Sequence, residues 1–157
     1  MLLGVKRIEF YSVGDAYGEF SNFAEYPVRI DGETWQTTEH YFQAQKFADA
    51  TVRARVRRTR TPEQAANLGR DRSLKLRRDW ESAKVDVMRT ALRAKFKQHA
   101  NLAALLLSTG DALLVERSDS DSYWGDGEDG RGRNMLGRLL MELRNELRAA
   151  ADGRGDG

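Results

Sequence analysis

The sequence predicts a mixed α+β fold, a predominantly α-helical single domain with a small β-hairpin and short strands. Three observations carry this. Apolar residues recur at helical spacing through most of the second half, an Asp-Gly pair divides two short alternating segments at 27–35, and the other β-formers gather in brief runs. The 157 residues are enough to bury a core without staples. No internal repeat and no dividing linker is present, so residues 1–150 are expected to form one domain and 151–157 a flexible tail rich in Gly and Asp.

The elements follow in order. Lys6-Arg7-Ile8-Glu9-Phe10-Tyr11 predicts a first strand, interrupted by the loop Gly14-Asp15-Ala16-Tyr17-Gly18. Asp31-Gly32, set between alternating apolar positions, predicts a two-residue hairpin turn that feeds a helix from Thr38. That helix is expected to continue through Val52 and Val56, with Arg53, Arg55, Arg57, Arg58 and Arg60 turned to water. Thr61 then caps a new helix, with Pro62 at its first position, Gln64 closing a capping box and Gly69 as its stop. Asp79 is placed as the cap of the next helix, whose core face holds Val85, Met88, Leu92 and Phe96. Asn101 is placed as the cap of Leu102–Ser108, nearly all apolar and expected to be buried, ending at Gly110. Ala112–Glu116 reads as a short strand, and Leu136, Leu139, Leu140, Leu143 and Leu147 as a final amphipathic helix.

Composition excludes several chemistries. The chain has no cysteine and only two histidines, His40 and His99, so disulfides, thiolate catalysis and a histidine-rich metal site fall away. No Gly-x-Ser-x-Gly elbow is present. The N-terminus meets charge too early for a signal peptide and no apolar run is long enough for a membrane span, which favours a cytoplasmic protein. Net charge is only +2, but arginines crowd residues 53–78 and acids crowd 111–129.

Two stretches carry candidate chemistry. In Thr38-Glu39-His40-Tyr41-Phe42-Gln43-Ala44-Gln45-Lys46-Phe47, a 3.6 period puts Glu39, Phe42, Gln43 and Lys46 on one stripe, Glu39 and Lys46 about 10 Å apart along the axis. Such a stripe either grips a small ligand or is an ordinary solvated face. Arg70 and Arg72, just after Gly69, form either a phosphate clamp or salt bridges to Asp71 or Asp79. Trp80 is either core or a stacking wall. The second stretch is the loop 118–134, where Tyr123-Trp124 argues for order. Its Gly125-Asp126-Gly127-Glu128-Asp129-Gly130 matches G-x-G-x-x-G, but three acids would repel a pyrophosphate. Its acids do not fit a calcium loop either, which leaves magnesium at Asp121 as a minor alternative. What remains is carboxylates, a lysine, arginines and tryptophans. A pair of carboxylates suits glycosidic-bond cleavage, with Glu39 and Asp121 as the candidates.

Taken together, Phe20-Ser21-Asn22-Phe23, Thr34-Trp35, Glu39 through Phe47, Gly69-Arg70-Asp71-Arg72, Asp79-Trp80, Lys95-Phe96, Leu114-Val115-Glu116, Asp121 through Gly127 and Gly132-Arg133-Asn134-Met135-Leu136-Gly137 resemble the YbiA-like, or NADAR, family of N-glycosidases, closest to its bacterial branch. The resemblance implies a compact α+β domain that cleaves the N-glycosidic bond of phosphoribosylamino-pyrimidine intermediates of riboflavin biosynthesis, without an organic cofactor. Similar family members remove ADP-ribose from guanine in nucleic acid, and a non-catalytic nucleotide or ADP-ribose binder is a further alternative. The resemblance also assigns roles. Glu39, Lys46 and Asp121 become catalytic, with Lys46 a possible Schiff-base former. Asn22, Phe23, Gln43, Arg70, Arg72, Trp80, Trp124, Gly125 and Asn134 become substrate-binding, with Arg70 and Arg72 on the 5′-phosphate and no metal ligand.

Overall fold

The computed structural model describes residues 6–155. Most of the N-terminal stretch weighed against a signal peptide, and Asp156 with the tail end, lie outside the described residues. The chain forms two compact units, Asn22–Gln98 and a discontinuous unit of Met1–Ser21 with His99–Gly157. The mixed, mostly helical class expected from the sequence is what is found. No helix among the described residues is long and apolar enough to cross a membrane.

In the unit Asn22–Gln98, β2 (Val28–Ile30) and β3 (Glu33–Trp35) pair antiparallel, with Val28 opposite Trp35 and Ile30 opposite Glu33. Asp31 and Gly32 between them have φ of 53° and 81°. Two left-handed residues make the turn whose twist matches the flanking strands. Val28, Ile30 and Trp35 pack into a core with Tyr41, Phe47 and Val56.

The helix predicted to run from Thr38 through Val56 is broken. α1 spans Thr38–Ala44 and α2 spans Ala50–Arg58. Two local events end the first and start the second. Lys46 and Phe47 donate to Gln43 and Ala44 carbonyls three residues back, tightening the chain into a turn, and Asp49 Oδ1 accepts from Thr51 N at 2.8 Å as an N-cap. The apolar period hides the break, because both segments bury their faces in the same core. α3 (Pro62–Gly69) starts as predicted, with Thr61 Oγ1 accepting from Gln64 N at 3.1 Å, while Gln64 Oε1 reaches Arg60 N instead of the cap. α4 (Trp80–Gln98) buries Met88, Leu92 and Phe96, but Val85 is only half-buried and Ala91 and Lys95 take core places. Asp79 does precede this helix, yet its carboxylate is held by Arg77 at 2.6 Å and 2.9 Å.

In the discontinuous unit, β1 (Arg7–Phe10) and β4 (Leu113–Glu116) pair in parallel, Arg7 against Leu113 through Phe10 against Glu116. Phe10 meets Phe20 edge-on, with centroids 5.7 Å apart. α5 (Ala100–Ser108) begins before the predicted cap, so exposed Asn101 lies inside its first turn. It buries only Leu102 and Leu106, since a short helix on one surface has one covered face. Gly110, φ 60°, ends it in a left-handed turn. α6 (Met135–Gly155) lies along β4, and a Cβ on Gly137 would come 2.0 Å from the Leu114 carbonyl oxygen, so only glycine permits that approach. The helix continues through Gly155, past the point where the sequence suggested fraying.

Candidate active site

The start of α1 is fixed before any chemistry is considered. Thr37 caps it by accepting from His40 N at 3.2 Å. The His40 ring is fully buried, with Nδ1 2.7 Å from Thr37 Oγ1 and Nε2 3.1 Å from the Thr59 carbonyl oxygen. A carbonyl only accepts, so Nε2 carries the proton, and burial pushes the imidazole pKa below its ordinary value. Asn22 completes the clamp. Its carbonyl accepts from Glu39 N at 3.2 Å, its Oδ1 from Thr38 Oγ1 at 2.8 Å, and its Nδ2 lies 3.4 Å from Met88 Sδ. The asparagine assigned to substrate thus secures the amide of the residue that carries the acid.

On that clamp the polar stripe is real, and it is buried. Glu39 is 8% exposed and Gln43 6%. A solvated face would not look like this. Gln43 Nε2 donates to Glu39 Oε1 at 2.7 Å, and Gln43 Oε1 is a buried acceptor with no hydrogen-bond partner among the described residues. Lys46 lies past the helix end, half-buried, its Nζ 3.4 Å from the Gly69 carbonyl and 5.8 Å from the centroid of Phe42. Burial lowers the pKa of this amine; Glu39 works against the shift, and Arg70 and Lys84 reinforce it. Phe42 packs against Trp80 at 5.1 Å, so the buried tryptophan backs an aromatic wall beside the amine. Arg70 is exposed and donates to Asn67 Oδ1 at 2.5 Å; Arg72 is exposed. The salt-bridge alternatives for these arginines go elsewhere, Asp71 accepting from Ser73 and Asp79 from Arg77. Phe23 is half-buried.

Asp121, Trp124, Gly125 and Asn134 belong to the other unit, in the loop 118–134. That loop is folded on itself. Asp121 Oδ1 accepts from Tyr123 N at 3.0 Å and Trp124 N at 2.8 Å, and the Tyr123 and Trp124 carbonyls accept from Met135 N and Leu136 N, each at 3.0 Å. The rings of Tyr123 and Trp124 meet edge-on at 4.9 Å. Gly125 is buried, and a Cβ there would lie 2.8 Å from Ser118 Cβ. Asp126, 3% exposed, accepts from Arg117 Nη1 and Ser118 N, both at 3.0 Å. The Asn134 carboxamide bridges β4, accepting from Glu116 N at 3.0 Å and donating to the Leu114 carbonyl at 2.9 Å. Among the described residues no group of three or more histidines and carboxylates is placed to hold a metal ion.

The chain's sequence and backbone both have close relatives. The NADAR domain model matches residues 9–148. The chain belongs to the NADAR family. It is 61% identical over 140 residues to N-glycosidase YbiA of Escherichia coli, covering 89% of this chain and 88% of that protein. It is 44% identical over 144 residues to a riboflavin biosynthesis protein of Vibrio vulnificus, covering 92% of this chain but 39% of that longer one. The solution structure of Escherichia coli YbiA superimposes with a TM-score of 0.88 at 57% identity, over 96% of this chain and 89% of the other.

Within this NADAR chain, two residues beside the Lys46 amine are not marked as its neighbours by the sequence, Gly69 and Lys84. Gly69 ends α3 as expected, but as its last helical residue and without a left-handed φ. A glycine inside a helix rather than after it is the signal that marks close approach rather than a cap. Lys84 sits on α4 one turn beyond Trp80, and no spacing rule connects it to Lys46.

Proposed function

We propose that this chain hydrolyses the bond between the anomeric carbon of ribose 5-phosphate and the exocyclic amine of a pyrimidine intermediate of riboflavin biosynthesis. The general activity, hydrolysis of an N-glycosyl bond, is that of the family and of its close relatives. The observation that carries the mechanism is that Glu39 stands near enough for its charge to act on the Lys46 amine. Lys46 is an amine held below its ordinary pKa by burial; Glu39 is a buried carboxylate oriented by Gln43.

Chemically, an N-glycoside of an exocyclic amine opens when the nitrogen lone pair expels the ring oxygen. The nitrogen loses its proton, the oxygen gains one, and an imine at C1 results. Neutral Lys46 adds to C1, and its two protons pass to the departing nitrogen by way of Glu39, so the free aminopyrimidine leaves and a Lys46 Schiff base remains. Water then adds to C1, the C1–N bond to Lys46 breaks, and the open-chain aldehyde of ribose 5-phosphate is released with the neutral amine restored. Trp80 and Phe42 favour a planar base, and Arg70 and Arg72 suit the 5′-phosphate. Asp121 and Trp124 are assigned to the sugar and base on the family resemblance. Asn134 and Gly125 support the loop that carries them. A cysteine-free chain with this substrate suits a cytoplasmic setting.

Mass spectrometry of the purified protein tests the proposal directly. It is incubated with the phosphoribosylamino-pyrimidine and, separately, with an oligonucleotide bearing ADP-ribosylated guanine, with borohydride in half of each sample. Ribose 5-phosphate from the first alone, with a reduced sugar adduct on Lys46, is the expected result. Release of ADP-ribose alone would move the substrate to nucleic acid, and turnover without an adduct would leave direct hydrolysis led by Glu39.

A further inference from the structure

Gly69 lies against Gln43, the residue that orients Glu39, and against Lys46. The point where its Cβ would stand is 1.8 Å from Gln43 Oε1, 2.6 Å from Gln43 Cδ and 3.3 Å from Lys46 Nζ. No more than the sum of the first and last of these distances therefore separates the buried, unpartnered carbonyl oxygen of Gln43 from the Lys46 amine. The Gly69 carbonyl itself accepts from that amine. The same carboxamide donates its other end to Glu39. The end of α3 is thus pressed flat against a Glu39–Gln43–Lys46 row, and it can lie there only because residue 69 has no side chain.

We propose that Gly69 is a positioning residue of this active site: its bare Cα seats the Gln43 carboxamide between acid and amine and keeps the Lys46 amine inside. The inference rests on the reading of Lys46 as the reacting group, and it assigns no contact between Gly69 and substrate. A methyl at 69 cannot share space with Oε1, whose carboxamide must swing off Glu39. The amine is displaced outward with it, toward water, and its burial is relieved.

The test reads the amine itself, so it does not depend on the substrate being correctly named. Acetic anhydride labels Lys46 only as the free amine, and mass spectrometry across a pH series gives its labelling midpoint. Gly69→Ala is expected to raise that midpoint by at least half a pH unit, toward that of an exposed lysine. Gly69→Ala with Gln43→Ala opens room for the methyl and is expected to return the midpoint to that of Gln43→Ala alone. In turnover of the pyrimidine substrate, Gly69→Ala is expected to lower kcat at least tenfold with KM within about twofold, and to add less than twofold in the Gln43→Ala background. An unchanged midpoint in Gly69→Ala, or the same shift whether or not Gln43 is present, overturns the proposal. If Gly69→Ala does not fold, the double variant decides: a fold and midpoint matching Gln43→Ala support it, and a failure to fold overturns it. The expected midpoint shifts without any turnover would count against the substrate and support the placement of Gly69.

Discussion

Burial lowers the pKa of the Lys46 amine while Glu39 works against the shift, and on the proposed mechanism this sets the pH dependence. In the role proposed for it the amine attacks only when neutral, so kcat/KM is expected to rise with pH. Because burial lowers the pKa of Lys46, the plateau should arrive below the ordinary lysine range of about 10.4. A pH–rate profile checks this, and a rising limb that persists unchanged in Lys46→Arg would assign it to another group. Glu39→Gln preserves the shape of the buried carboxylate and removes the proton transfer proposed for it, and is expected to lower kcat about 10²- to 10⁴-fold while the fold survives. His40 contributes to the pH dependence of stability instead. Its folded pKa lies below the unfolded value of about 6.5, so stability is complete above that pH and declines as acid protonates the unfolded chain first. Urea midpoints taken at about pH 7.5 and about pH 5.5 should fall on acidification, and fall less in His40→Gln.

At the scale of elements, short helices here depend on side chains at their ends. α3 has eight residues and owes its start to Thr61, so Thr61→Ala is expected to cost about 1 kcal/mol in chemical denaturation. The loss should also reach the site, because α3 carries Gly69 and packs against α1. The loop 118–134 is built on the same logic without a helix. Its turns are closed by Asp121, Asp126 and Asn134 through backbone amides, so the acids that attract attention as metal ligands or phosphate repellents are largely occupied in shaping the chain. Asp126→Asn removes the buried charge facing Arg117 and should speed amide exchange in residues 118–134 well before it affects α4.

At the scale of the whole molecule, the two ends of the chain share one unit. β1 pairs with β4 across more than a hundred residues of sequence, and brings Ile8 and Phe10, 5% and 2% exposed, into its core. Deleting residues 1–10 removes both side chains and the strand beside β4. Each deletion of a buried side chain of this size costs about 2–5 kcal/mol, so the sum is comparable with the whole stability of a domain. The truncated chain is expected to lose its cooperative thermal transition; a sharp melt near that of the full chain would show that the strand is dispensable.

What the sequence determined by itself is whatever local chemistry decides. Asp31-Gly32 had to turn because both residues tolerate positive φ, Thr61-Pro62 had to start a helix, and the leucines of α6 had to face a core. The candidates Glu39, Gln43 and Lys46 were legible as a stripe, and the family motifs were legible along the chain. The tertiary structure decided the rest, because burial and charge depend on groups distant in sequence. It cut the predicted long helix at Asp49, turned Asn22 into a clamp on α1, and showed Glu39, Phe42 and Gln43 of the stripe to be buried and Lys46 half-buried rather than solvated. It also brought Gly69, Arg70 and Lys84 to the Lys46 amine from two other elements. A periodic pattern specifies which face of a helix is apolar, but only packing specifies what that face meets, and it is that neighbour which turns an ordinary lysine into a candidate nucleophile.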